Sequence, residues 1–508
     1  MIGSHTVEAA RATQRAAGWS DARVALVIAC AAATVGIAGS WIPSLWGEEA
    51  ASLMSARRDW ESLAALLGNV DAVHGLYYAV LHVWTDLAGT SPFAVRLPSG
   101  LAYGAAAAGL YLLVRTRADR VTALTAAVVL CVVPRISQAA TEARPLAFAT
   151  ACAVWLTVLL AYLMDGRMPR GWWWGYSVGL ALSVYLNLYL VLMLPIHAIA
   201  LALHPQRRAR LVDFAFPAAV ALVLATPIIV VAAAQRQQVA FRADQDVVTL
   251  DGVLVGQWFM LGSFAVVSWM LVAASVAVGI ASARDPAWAG ERWLLGLGLA
   301  WFVLPTAVLL IATEVLTPLY TPRYLVFCAP GVAIAVAIAV GRMRPNVVGA
   351  LVLAVIIGLA VPAYVDQRTP YAKNLGTDWQ AVSATVGSMA EPGDGVLFDE
   401  SVRPSLRPRL AMYTYPDGFV DLVDLGLVRA HHETDRLWDV TAPLAELRER
   451  LDGIDRVIVV ARSPDGVEPD VDTLRASGFV ELERRPLETD VVRLFARDPT
   501  HGAASASR

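Results

Sequence analysis

RVALVIACAAATVGIAGSWIPSLWGEEAASL, residues 23–53, opens with an apolar run and closes on two adjacent glutamates, Glu48 and Glu49. A bilayer's hydrocarbon core, about 30 Å thick, needs about 20 apolar helical residues, and residues 23–43 supply them. No clear small-residue cleavage site follows, so this run reads as an uncleaved first helix and not a leader. The pattern recurs near residues 74–88, 95–114, 121–137, 145–164, 172–187, 188–203, 211–233, 253–281, 293–313, 324–340 and 346–364. Only 16% of the 508 residues are charged and 57% are hydrophobic, against about 25% charged in soluble domains. The chain therefore reads as an all-α polytopic membrane bundle.

Arginines orient it, because short cytoplasmic loops collect basic residues. Arg115/Arg117/Arg120, Arg167/Arg170, Arg207/Arg208/Arg210, Arg284/Arg292 and Arg342/Arg344 are each separated from the next by two runs. They fall on one side, with the tail 1–22 and its Arg11 and Arg15. That alternation requires one early run not to cross. The short run 74–88, with His74, His82, Trp84, Asp86 and two tyrosines, suits a helix lying at the interface. About eleven crossings remain within residues 23–365, with a first external loop at 44–94. Runs 172–187 and 188–203 read as two short helices meeting near Asn187.

From residue 366 charges, prolines and turns return. Residues 394–399, 455–462, 479–483 and 491–496 read as strands, and 377–389 and 444–451 as helices. This is expected to be an extracytoplasmic α/β domain over 366–500, with a disordered tail at 501–508. Cys30, Cys131, Cys152 and Cys328 lie in apolar runs without a C-x-x-C pair, as small buried hydrophobes do. Lys373 is the only lysine; with abundant alanine, this fits a GC-rich bacterial genome and a bacterial plasma membrane. Net charge is −3 and no long basic face exists, so no nucleic-acid partner is expected. His431-His432-Glu433 with Asp435 is poorly spaced for one metal and suits a solvated loop; no cofactor is expected, and a divalent metal is not indicated though left open.

Ion and proton pathways leave ionisable residues inside a bundle, yet these span interiors are nearly free of them. The notable charges sit at outer helix ends instead: Glu48, Glu49, Asp71, Glu142, Arg144, Glu314 and Arg323. Adjacent helical residues point about 100° apart, so Glu48 and Glu49 cannot both face one atom. The plain alternative is a first turn favoured by the helix dipole. Asp71 and His74 open the interfacial helix; Tyr77 and Tyr78 are also explained by an aromatic belt. Arg144 and Arg323 run against the inside bias and suit a phosphate, with snorkelling as the competing reading for Arg323. Asn187 is a polar exception at a helix end.

Three stretches carry a family resemblance. Trp46-Gly47-Glu48-Glu49 is similar to the acidic pair in the first external loop of the GT-C polytopic glycosyltransferases, near the protein mannosyltransferase and lipid A aminoarabinose transferase group. Asp71–Tyr78 resembles that group's His-Pro-Pro-Leu-Tyr-Tyr segment, and residues 137–146, ending Glu142-Ala143-Arg144-Pro145-Leu146, its Glu-Ala-Arg-Pro-Tyr segment. Pro322-Arg323-Tyr324 adds a weaker match. The likeness covers roughly residues 40–330. The chain departs from it in having Glu-Glu for Asp-Glu, no double proline, and Asn187 where a histidine is often found.

The resemblance implies transfer of a sugar, mannose favoured and arabinose its competitor, from a polyprenyl-phosphate donor to a hydroxyl on a glycan, lipid or protein acceptor at the outer face. Glu48 is the expected base, with Glu49 as the second catalytic candidate. Asp71, His74, Tyr77, Glu142, Arg144, Asn187, Arg323 and Tyr324 are the expected substrate-binding residues. One base and direct displacement predict inversion. A lipid or glycan transporter, or a scaffold presenting the external domain, are the alternatives.

Overall fold

The computed structural model describes residues 19–237, 248–315, 318–373, 376–462 and 469–498. The expected tail 501–508 and most of the tail 1–22 lie outside them. Among the described residues fifteen α-helices precede the C-terminal region: α1 Asp21–Ile37, α2 Gly47–Ala56, α3 Trp60–Asn69, α4 Gly75–Ala88, α5 Pro92–Arg115, α6 Arg120–Val132, α7 Pro134–Ala140, α8 Leu146–Met164, α9 Trp172–Leu186, α10 Met193–Ala202, α11 Arg207–Ala234, α12 Gly262–Ala281, α13 Ala289–Val315, α14 Ala329–Gly341 and α15 Asn346–Asp366. Local chemistry sets their ends. Ser91, Asp59 and Asp119 cap α5, α3 and α6 by accepting from the N–H of Ala94, Ser62 and Thr122, which satisfies a donor the helix leaves open.

Among the described residues seven helices are long and apolar enough to cross a membrane, and eight if α6 and α7 form one span. Residues 121–137 were expected as a single crossing. They bend by 67° between α6 and α7, because Pro134 has no N–H to continue the ladder. The run 253–281 is also divided: a π-helical turn at Gly252–Gly256 precedes α12. α1 has 17 residues and α9 has 15, short of that length. The chain breaks at Asn187, whose Oδ1 accepts from the Tyr189 N–H at 3.0 Å and caps the 3₁₀ turn Leu188–Leu192. The Pro322–Gly341 span, a 3₁₀ turn running into α14, is the innermost, 94% buried. It meets α13 where Gly298 and Gly331 face each other's carbonyls; lipid-embedded helices rely on such small residues for close approach.

The C-terminal region adds α16 Trp379–Met389, β1 Gly395–Phe398, α17 Leu410–Thr414, β2 Val423–Asp424, β3 Leu427–Arg429, β4 Val440–Thr441, β5 Arg456–Arg462, α18 Pro469–Ala476, β6 Phe479–Pro486 and β7 Asp490–Arg497. β1, β5, β6 and β7 occupy the four stretches read as strands. The sheet order is β2-β1-β5-β7-β6, parallel across β2, β1 and β5 and antiparallel beyond. Residues 444–451, expected as a helix, form two 3₁₀ turns, the first starting where the Leu444 N–H donates to Asp470.

Helix α2 belongs to two cores. Ala50 and Met54 pack with Trp379, Val382, Phe398 and Val460 of the C-terminal region. Leu53 and Ala56 pack with Leu63, Tyr77, Val95 and Ala143 of the bundle. The docking is polar as well: the Leu45 N–H donates to the Tyr415 hydroxyl at 2.8 Å, and Ser62 and Asn69 donate to the carbonyls of His432 and Asp435 at 2.6 and 3.0 Å. At the start of α2, a Cβ on Gly47 would lie 2.0 Å from the Ser405 carbonyl oxygen. Gly47→Val is therefore expected to push the C-terminal region off α2, costing about 1–3 kcal/mol as overpacking does. Thermal unfolding and limited proteolysis in detergent read this; a melting temperature and cleavage pattern equal to wild type would refute it.

Candidate active site

Glu48 and Glu49 occupy the first turn of α2, where the helix dipole favours carboxylates. As neighbours they diverge. Glu49 is 1% exposed, and Arg96 of α5 grips it with two parallel bonds, Nε to Oε1 at 2.7 Å and Nη2 to Oε2 at 2.5 Å. The Ala143 N–H adds a third at 2.8 Å. Arg96 gives its remaining donors to the carbonyls of Ser40, Pro43 and Ser44 at 2.6, 2.7 and 3.2 Å. A guanidinium has five N–H groups, and all five are used. Burial alone pushes the Glu49 carboxyl up. The charges of Arg96 and Lys373 and the Ala143 N–H outweigh it and hold the group below the ordinary carboxylate range.

A second buried pair lies alongside. The Lys373 ammonium sits 3.4 Å from Glu142 Oε1 and donates to Thr141 Oγ1 at 3.0 Å, with both charged side chains almost fully enclosed. The Ser99 hydroxyl fixes the same segment by donating to the Glu142 carbonyl at 2.6 Å.

Glu48 faces the other way, with its side chain 24% exposed. Arg144 Nε lies 3.4 Å from Oε2, and Arg323 pairs with Oε1. Three segments far apart in sequence thus meet at one carboxylate. Arg144 also lies 3.4 Å from both the Glu48 carbonyl and Ser52 Oγ, and its Nη2 is 3.2 Å from His74 Nε2. Arg144 can only donate, so Nε2 of His74 accepts and a neutral His74 carries its proton on Nδ1. The Arg323 guanidinium lies 5.3 Å from the ring centroids of both Trp46 and Tyr324, within cation–π range.

The other expected residues stand behind this cluster. Asp71 adopts a left-handed conformation, φ 59°, and accepts from the Tyr78 hydroxyl at 2.9 Å; the 3₁₀ turn Ala72–His74 that follows carries His74 to Arg144. Tyr77 is 2% exposed and packs edge-on against Phe148, so its ring is part of the core. Tyr324 touches Arg323 and, at 6.1 Å between centroids, Tyr189. Asn187 connects to the cluster through its cap on Tyr189, whose ring lies against Tyr324. Sequence reasoning missed the roles of Arg96 and Lys373. The available signals were one arginine at the mouth of an apolar run and the single lysine of the chain.

Residues 76–233 match the family described as dolichyl-phosphate-mannose-protein mannosyltransferase. That segment contains Tyr77, Arg96, Glu142, Arg144 and Asn187, and stops short of Arg323. No curated protein matches the chain by sequence. The crystal structure of ArnT from Cupriavidus metallidurans in the apo state superposes with a TM-score of 0.57 at 13% identity, covering 92% of this chain and 97% of ArnT. The same protein bound to undecaprenyl phosphate gives 0.56 at 12% identity with the same coverage. In fold the chain resembles the GT-C membrane glycosyltransferases of the protein mannosyltransferase and aminoarabinose transferase type.

Removing one partner of a buried ion pair costs about 3–5 kcal/mol. Arg96→Met is expected to destabilise by that order. Glu49 is held low in the fold, so its stabilisation is present above the ordinary glutamate pKa and lost as pH falls below it through the folded value. Glu49→Gln should flatten that acid loss. Melting temperatures between pH 3 and 7 test both, and an unchanged acid limb in Glu49→Gln would contradict the pairing.

Proposed function

We propose that the protein is an inverting membrane glycosyltransferase moving a sugar, mannose favoured, from a polyprenyl-phosphate donor to an acceptor hydroxyl, with Glu48 as general base. The observation that carries this is the meeting of one partly exposed carboxylate with Arg144 and Arg323. The acceptor oxygen attacks the anomeric carbon as its proton passes to Glu48. The bond from that carbon to the phosphate oxygen breaks, and polyprenyl phosphate leaves. Arg144 and Arg323 meet the charge that grows on the phosphate, where fixed donors act most strongly. A single displacement inverts the anomeric centre. His74 and Ser52 align Arg144, while Trp46 and Tyr324 flank Arg323. Glu49 is a positioning residue whose bonds to Arg96 turn Glu48 outward. A fold relative that binds undecaprenyl phosphate supports a lipid-phosphate donor.

General base catalysis contributes about 10²–10⁴-fold. Glu48→Gln, reconstituted with a polyprenyl-phosphate mannose donor and acceptor lysate, is expected to lose sugar transfer by that factor while folding normally. Full activity in the variant would remove Glu48 as the base.

We place the site and the domain at 366–500 outside the plasma membrane, the N-terminus inside, with eleven crossings, on the arginine distribution. A cysteine replacing Ala118 should resist an impermeant thiol reagent in intact cells, and one replacing the exposed Val420 should react. The reverse labelling would overturn this orientation.

A further inference from the structure

Glu48 and the donor's phosphate need the same guanidinium groups. Both carboxylate oxygens of Glu48 are turned to arginines, Oε2 to Arg144 and Oε1 to Arg323. The other donors of Arg144 point to Ser52, His74 and the Glu48 carbonyl. A lipid phosphate approaching these two side chains therefore meets a carboxylate already seated there. Each arginine is also held without the Glu48 side chain. Arg144 is 5% exposed and braced by Ser52 and His74; Arg323 lies against Trp46 and Tyr324. Glu48 is far less enclosed than Arg144, with its side chain 24% exposed against 6%, and its side-chain torsions let the carboxylate turn away without moving α2.

We propose that Glu48 is an intramolecular competitor for the lipid phosphate, and that phosphate capture by Arg144 and Arg323 releases its carboxylate to accept the acceptor's proton. This rests on the reading of Arg144 and Arg323 as the phosphate site. It makes donor binding a precondition for a competent base, so the donor adds before the acceptor reacts. It also predicts the opposite of a binding residue's behaviour: deleting the acid strengthens lipid binding.

The experiment is equilibrium binding of undecaprenyl phosphate to the full-length protein in nanodiscs. Glu48→Gln is expected to bind about tenfold tighter than wild type, and Glu48→Ala likewise, which guards against a folding defect in either. Arg323→Ala is expected to bind at least tenfold weaker, and Glu48→Gln/Arg323→Ala to match it, since the gain requires the arginine. Equal or weaker binding by both Glu48 variants, with wild-type melting temperatures, would overturn the competition. The two ideas fail separately. Tighter binding with retained sugar transfer keeps the competition and removes Glu48 as base; lost transfer with unchanged affinity overturns the competition and leaves the base assignment standing.

Discussion

The bond between Arg96 and Glu49 is the constraint on which the site depends. Both side chains are fully enclosed, and taking two charges out of water is costly unless every donor and acceptor is met. Here they are met: three of the five Arg96 donors go to the carbonyls of Ser40, Pro43 and Ser44, and Glu49 adds the Ala143 N–H. One interaction thereby ties the end of the first apolar segment, the first turn of α2, the mouth of α5 and the loop before α8. It also fixes the rotation of α2. With Glu49 locked inward, the geometry of a helix turns Glu48 to the open side.

The charges at this end of the bundle separate by function through their partners. Glu49 with Arg96 and Glu142 with Lys373 are enclosed one-to-one pairs. Glu48 shares two arginines across a partly exposed gap. The Lys373 contact matters for this division, because it gives Glu142 a cation of its own and leaves Arg144, two residues on, to Glu48 and His74. In a low-dielectric pocket, partners of this kind decide which charge is available to a substrate.

Much of this was legible in the sequence. The apolar runs became helices because segments in lipid must satisfy their backbone internally, with 121–137 and 253–281 each divided, and strands such as β1 and β5 followed from short apolar runs bounded by turns. The meeting of Glu48, Arg144 and Arg323 followed from placing three helix ends on one side. The bend at Pro134 was readable from the proline but hidden inside a continuous apolar run. Arg96 and Lys373 were not readable in their roles. Their partners stand 47 and 231 positions away, and no periodicity encodes such a pairing. Asn187 and Tyr77 drew notice as polar and aromatic residues at the right depth, yet one caps a turn and the other fills core space. Residue type alone does not separate these uses.

The double membership of α2 has a consequence in time. Residues 47–56 are made early, yet Ala50 and Met54 pack against Trp379, Phe398 and Val460, and the segment before them is tied to Tyr415 across 370 positions. A ribosome adds about 5–20 residues each second, so α2 waits tens of seconds, with the C-terminal region still unmade, before its second core exists. The packing of the helix that bears Glu48 and Glu49 is thus completed late, although these carboxylates are among the first residues translated. The partners of Glu48 are all made once Tyr324 is added, but the helix that carries it gains its second set of apolar neighbours only when the C-terminal region packs against it.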